Sequence, residues 1–141
     1  MTEEDKELVL KDLCARLLYG VIVHCTWAYF QEGSGEDDGI LEDIDVAKKQ
    51  IRFKRKDCST NIPLNRIDGT VLPYLRPMSS MTEEECKEFF IQREKIVEYG
   101  GHEIILDLDS SDWLNAHHFD YRGLIEKGLA IEAPEGMYNL N

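Results

Sequence analysis

The apolar positions of this chain change period several times, and each change predicts an element. Val9, Leu10, Leu13, Cys14 and Leu17 recur at helical spacing, which predicts a helix over 2–17. Thr2 and Asp5 are spaced as a capping box at its start, acids crowd its first turn, and Gly20 ends it. From Val21 to Phe30 the pattern becomes an alternation. Val21, Val23, Cys25, Trp27 and Tyr29 share one face, and Ile22, His24, Thr26, Ala28 and Phe30 share the other. Both faces are largely apolar, as in a strand near the middle of a sheet. The glycine-rich acidic stretch 31–39 reads as a mobile loop. Residues 40–45 and 50–56 read as two short strands, the latter with Ile51 and Phe53 inward and Arg52, Lys54 and Lys56 outward. A loop over 57–69 and a short extended piece over 71–75, limited by Pro73 and Pro77, follow.

A second capping box, Thr82 with Glu85, predicts a helix to about Tyr99, stopped by Gly100 and Gly101. Its apolar side carries Cys86, Phe89, Phe90, Arg93 and Val97. A strand over 102–108, short helices over 111–118 and 120–127, and a last strand over 130–133 complete the reading, with Gly128 closing the second of those helices. Together these elements predict an α+β fold: an N-terminal helix, a small curved antiparallel sheet of SH3-like kind, and a helix-strand-helix C-terminal part. The 141 residues are expected to form one domain, with a joint at 78–82 between a β-rich first half and an α+β second half.

Charge sharpens this picture. The chain carries a formal charge of −12, yet six of its 16 basic residues (Lys48, Lys49, Arg52, Lys54, Arg55 and Lys56) stand in one stretch that no acid interrupts. Outside that stretch 10 basic residues face 28 acidic ones, a balance of −18. This disfavours general nucleic-acid binding, whose affinity comes mostly from neutralising phosphates. No apolar run approaches the ~20 residues of a bilayer-spanning helix, so no membrane association is expected. The acidic start MTEEDKE has neither secretory nor transit-peptide character. Cys14, Cys25, Cys58 and Cys86 form no CxxC, zinc-ribbon or disulfide spacing. They are read as reduced thiols, which points to a cytoplasmic protein, and no cofactor motif accompanies them.

Candidate chemistry falls in three places. Arg52, Lys54 and Lys56 would project from one strand face, with Lys48 and Lys49 at its entry and Arg66 and Arg76 after the next loop. Guanidinium forks suit anionic oxygens, and Trp27, Tyr29 and Phe30 offer rings for a base to stack on. Arg52, Lys54, Arg76 and Trp27 are therefore the candidate residues for a small anionic ligand. Two plainer readings compete: a lysine-rich outer face that protects an edge strand, and pairing with the acids of 32–45. The second place holds Asp107, Asp109, Asp112, His117, His118 and Asp120, residue types that bind hydrolytic metals. Their spacing matches no HExxH, HxH or EF-hand pattern, and helix capping by 109–112 with structural histidines fits better. The third is the set of nucleophiles. No cysteine has a local histidine, and GxSxG, Walker and GxGxxG motifs do not occur, which favours a non-catalytic protein. At the C-terminal end, Met137, Tyr138 and Leu140 would dock on the core or on a second subunit of a homo-oligomer.

Three segments, KDLCARLLYGV (11–21), YLRPMSSMTEEE (74–85) and WLNAHHFDYRGLIEKGLAIEAPEGMYN (113–139), resemble a group of small proteins of unassigned function carried by gut Bacteroidales genomes, prophages and phages. They cover roughly a third of the chain. Those proteins tend to have proline where this chain has Leu18. The resemblance implies an accessory gene of a mobile element and brings no activity, cofactor or site residue. The resulting expectation is a non-catalytic binding protein that sequesters a small anionic, nucleotide-like ligand in the host cytoplasm. The alternatives are an acidic interaction module that inhibits a host protein by presenting acid in place of DNA, and a metal-dependent hydrolase built on 107–120.

Overall fold

The Thr2 hydroxyl accepts the Asp5 N–H at 3.1 Å while the Asp5 carboxylate accepts the Thr2 N–H at 3.2 Å, and this reciprocal cap opens helix α1 (Glu3–Arg16) in the computed structural model. The structure describes residues 2–29, 33–64, 71–107 and 110–138. After α1 come β1 (Ile22–Tyr29), β2 (Gly33–Asp45), β3 (Gln50–Lys54), β4 (Ser59–Pro63) and β5 (Val71–Leu75). Then follow α2 (Glu83–Arg93), β6 (Glu94–Tyr99), β7 (His102–Asp107), α3 (Ser111–Ala116) and β8 (Ile131–Glu132). The fold is α+β, with an open sheet in the order β4-β3-β2-β1-β5-β8 and a separate β6-β7 pair. β1 lies between two partners, as its two apolar faces require.

The sheet is mixed. Four of its pairings are antiparallel, but β8 runs parallel to β5, Tyr74 facing Ile131 and Leu75 facing Glu132. A parallel pair needs a long crossover, and the chain between β5 and β8 supplies it. One face of the sheet is buried: Val23 and Cys25 from β1, Leu41 from β2, Ile51 and Phe53 from β3, and Val71 and Leu75 from β5. Val9 and Leu13 of α1 cover it, together with Leu124, Leu129 and Ala130 from the C-terminal segment. Burying that many aliphatic side chains, at about 1.5–3 kcal/mol each, is the main favourable term in the fold. Trp113, Leu114 and Phe119 form a smaller cluster with Phe89 of α2 packed against it.

Five expectations from the sequence need correction. Residues 33–39, expected as loop, are strand, paired from Gly33 with Tyr29 to Gly39 with Val23. Glycine there answers a packing need. A Cβ at Gly39 would stand 2.6 Å from the Phe53 ring and 2.7 Å from the Lys54 carbonyl oxygen. The loop expected over 57–69 contains β4, an edge strand that ends at Pro63, where a missing N–H is harmless. The second long helix stops at Arg93, and 94–99 pairs instead with β7 across Gly100 and Gly101, at φ 59° and 82°. Two consecutive left-handed residues are what a tight hairpin turn requires. Residues 120–127 form turns rather than a helix, because Gly123 sits at φ 73° and the Asp120 carboxylate takes the N–H groups of Leu124 at 2.8 Å and Ile125 at 3.0 Å. Cys14, placed on the buried stripe of α1 by its spacing, is exposed. Asp12 and Arg16 take the buried positions beside Val9 and Leu13.

Gly39→Ala is expected to lower unfolding stability by about 1–3 kcal/mol, since neither a ring in the core nor a ladder carbonyl can yield cheaply. A urea titration that leaves the midpoint unchanged would contradict this packing.

Candidate functional site

The sheet order decides what becomes of the four candidate residues. Arg52 and Lys54 are exposed on the outer face of β3, which is an interior strand paired with both β2 and β4. Arg76 follows the end of β5. Two strands separate β3 from β5, so three strand spacings, about 14 Å, keep Arg76 apart from Arg52 and Lys54. Trp27 stands opposite Gly35 in the β1-β2 register. Its side chain lies outside the described residues, as does Arg66. The structure therefore does not gather Arg52, Lys54 and Arg76 around one cavity.

The arginines already have carboxylate partners. Arg52 Nε donates to Glu42 at 3.1 Å, with Asp43 at 4.0 Å, and Glu42 also accepts the Ser59 hydroxyl at 3.0 Å. Arg55 Nε donates to Asp37 at 3.0 Å, and that hydrogen bond holds the Asp37 carboxyl below its usual range. The acidic stretch of β2 thus lies beside the basic strand and pairs with it. Lys48, Lys49, Lys54 and Lys56 carry no ion pair among the described residues.

On the other side of β2 the outer face holds a second cluster. His24 stands opposite Asp38 in the ladder, with Nδ1 2.8 Å from Asp38 and Nε2 3.2 Å from Glu36. Burial works against a proton on His24, but the two carboxylate hydrogen bonds outweigh it and raise the pKa. Tyr74 donates its hydroxyl to Asp38 at 2.8 Å, and burial with that bond pushes the phenol up to about 12.

Below the sheet's end lies a buried polar knot. Arg16 and Asp12 have fully buried side chains and meet at 2.8 Å, while Arg122 Nε lies 3.4 Å from the other Asp12 oxygen. Burial pushes the Asp12 carboxyl up, against the pull of both arginines. Arg16 also donates to the Phe119 carbonyl at 2.6 Å. Arg76 binds Glu85 through both guanidinium nitrogens, at 2.8 and 2.7 Å, and lies over the Phe119 ring at 4.2 Å. That bidentate bond leads the interactions that bring Glu85 down to about 2. The same Glu85 caps α2, accepting the Thr82 N–H at 3.1 Å while Thr82 accepts the Glu85 N–H at 3.1 Å.

Beside Arg76 opens a cleft of about 430 Å³. Ser80 and Thr82 line it from the approach to α2, and Glu132, Glu135 and Tyr138 line it from β8 and the turn beyond. Tyr138 is fixed within the chain. Its hydroxyl accepts the Ile22 N–H at 2.9 Å and donates to the Tyr74 carbonyl at 2.7 Å, so it bridges β1 and β5 where their ladder ends. One face of its ring stacks on His118 at 3.7 Å.

No family model, curated protein or solved structure matches this chain. The site is therefore read from its own chemistry. The described parts of 11–21, 74–85 and 113–139 meet at the knot and the cleft, through Arg16, Arg76 and Phe119.

The histidine and aspartate candidates are structural where they are described. His117 stacks on Trp113 at 4.0 Å, with its Nδ1 2.9 Å from the Trp113 carbonyl. His118 is buried, and burial, then the charges of Arg16, His117 and Arg76, lower its pKa to about 4. Asp120 holds the turn at 124–125. Asp112 is exposed at the start of α3. The Asp107 side chain and Asp109 lie outside the described residues. Among the described residues no three His, Cys, Asp or Glu side chains are arranged to hold a metal ion. The residues missed by sequence reasoning are Asp12, Arg16, His24, Asp38 and Arg122. Asp12 and Arg16 left a signal, an acid and a base four apart on the buried face of α1; the others meet only through long-range contacts.

Arg16→Met is expected to cost about 3–5 kcal/mol, because it strips a buried carboxylate of its nearest cation. Arg52→Met, removing an exposed pair, should cost under ~1 kcal/mol. Equal shifts of the two urea midpoints would contradict the burial assigned to Arg16. His118 gives a pH signature. The unfolded chain binds its proton below the ordinary histidine value of 6.5 and the native state only below about 4, so stability falls as pH drops between those values. In His118→Asn, a residue that tolerates the φ of 64° found there, unfolding curves across that window should show a smaller loss. An unchanged slope would place the proton elsewhere.

Proposed function

We propose that this protein is a non-catalytic binding protein that offers an acidic surface to a basic polypeptide. The observation that carries this reading is that Arg52, Arg55 and Arg76 are each engaged by a carboxylate of the same chain. The positive stretch that interrupts the acidic sequence is thus partly neutralised inside the fold, and a −12 chain is left with exposed acids such as Glu83, Glu84, Glu88, Glu132 and Glu135. Polar side chains support a holding role: buried Arg16 and half-buried Arg76 bind backbone carbonyls of the C-terminal segment. Burial, with Asp38 and Asp37, pushes the Cys25 thiol up to about 12, so it stays protonated at neutral pH and is a poor nucleophile.

Four unpaired thiols support a reducing, cytoplasmic setting. No helix among the described residues is long and apolar enough to cross a membrane. On the resemblance to mobile-element proteins, the partner would be a host protein whose basic surface ordinarily faces an anion. Capture of a small anionic ligand is the second reading. It is favoured by Lys49, which carries no ion pair among the described residues and edges an open depression of about 520 Å³ with Val46, Pro63 and Leu64.

Fluorescence anisotropy with a labelled oligo-arginine peptide separates the two. Binding that weakens steeply as salt rises is the expected outcome. No binding at low salt, with heat released on titration by linear or cyclic nucleotides, would overturn the acidic-surface reading in favour of the second.

A further inference from the structure

The cleft between the start of α2 and the C-terminal turn has a composition that diffuse surface acidity does not explain. Its one cation among the described residues, Arg76, is neutralised by the two-point bond to Glu85 and is occupied further by the His117 carbonyl at 3.3 Å and the Phe119 ring. Glu132 and Glu135 are exposed and have no ion-pair partner among the described residues, so they set the charge of the cleft. Both are held by backbone. Glu132 stands opposite Leu75 in the parallel ladder, and the next residue's N–H reaches the Leu75 carbonyl at 2.8 Å. Glu135 sits in the turn closed by the Met137 N–H on the Pro134 carbonyl at 3.1 Å, with Gly136 at φ 81°. Tyr138 adds a ring immobilised by His118 on one face and by two strands at its hydroxyl.

Two carboxylates on rigid backbone beside a fixed aromatic ring suit a guanidinium better than an ammonium. A guanidinium donates to carboxylates in its plane and stacks on a ring through its face, whereas an ammonium is a strongly hydrated point charge. From this we infer that the cleft is the seat of an arginine side chain of the basic partner, an inference that rests on the acidic-surface reading above and gives it a location.

The test uses the full chain with nine-residue oligo-arginine and oligo-lysine peptides. Glu132→Gln with Glu135→Gln removes the cleft's charge at exposed positions, and Glu4→Gln with Glu7→Gln removes the same charge from α1. The expected result is about a tenfold loss of oligo-arginine affinity in the first pair and little change in the second. The unaltered protein should also prefer oligo-arginine to oligo-lysine several-fold. Amide NMR shifts on titration should centre on Ser80, Thr82, Ala133 and Gly136. If both pairs of substitutions weaken binding equally, or lysine binds as well as arginine, the cleft is not the seat, although the acidic-surface reading survives. If the unaltered protein binds neither peptide, that reading falls and takes the cleft with it.

Discussion

Three consecutive carbonyls place the C-terminal segment of this fold. Those of His117, His118 and Phe119 are taken in turn by the Arg76 side chain at 3.3 Å, the Arg76 N–H at 2.7 Å and the Arg16 side chain at 2.6 Å. The Asp120 N–H then returns to the Arg76 carbonyl at 2.8 Å. Two arginines, one from α1 and one from the end of β5, thus fix a single turn of the C-terminal segment, and Glu85 extends the tie to α2. His118 occupies the left-handed region at φ 64°, a conformation that a bulky residue keeps only where its surroundings over-determine it. The ion pairs within this knot are weak evidence of net stability, because desolvating Arg16 and Asp12 offsets much of their attraction. What they supply is placement. Other dockings of the C-terminal segment on the sheet would leave a buried guanidinium without its acceptors.

That placement has consequences for the cleft. β8 has two residues and could not pair stably with β5 alone. It is held at one end by the bridge of Phe119 to Arg76 and at the other by Tyr138, whose hydroxyl ties β1 to β5. The walls of the cleft are the by-products of these two anchors. The backbone that carries them is paired and the Tyr138 ring is stacked on His118, so the frame of the cleft keeps its geometry without a ligand.

Much of the scaffold was legible in local pattern. Both capping boxes, the alternation from Val21 to Thr26 and the inward pair Ile51 and Phe53 appear where periodicity put them. Misreadings arose where composition imitated a different element. The glycines and acids of 33–39 have loop composition, yet pairing with β1 supplies the hydrogen bonds and Phe53 needs the space that glycine leaves. In 94–99 the apolar residues fit a helix face as well as a strand, and only the Gly100-Gly101 turn with a partner beyond it selects the strand. The site was legible in its ingredients and not in its arrangement. Arg52 and Arg76 read as neighbours because only the loop expected over 57–69 separates their strands in the sequence. Sheet order, set by contacts between β1 and β5, places two strands between them.

The arrangement of charge across the sheet follows from that order. β2 carries Asp37, Asp38 and Glu42, and it serves polar partners on both sides: Arg52 and Arg55 toward β3, and His24 and Tyr74 toward β1 and β5. Each exposed pair is worth little alone, but together they cancel charge across the middle of the sheet. What remains uncancelled lies toward the two edges. Lys54 and Lys56 lie on or just beyond β3, with Lys48 and Lys49 at its entry, while Glu132 lies on β8 with Glu135 just beyond it, four strand spacings or about 19 Å from β3. That distance exceeds the Debye length of about 8 Å at physiological salt, so the two ends act on an approaching partner as separate fields of opposite sign. On the proposed reading, a basic partner drawn to the acidic end would be repelled at the lysine end, and the lysines would orient it at encounter without contacting it.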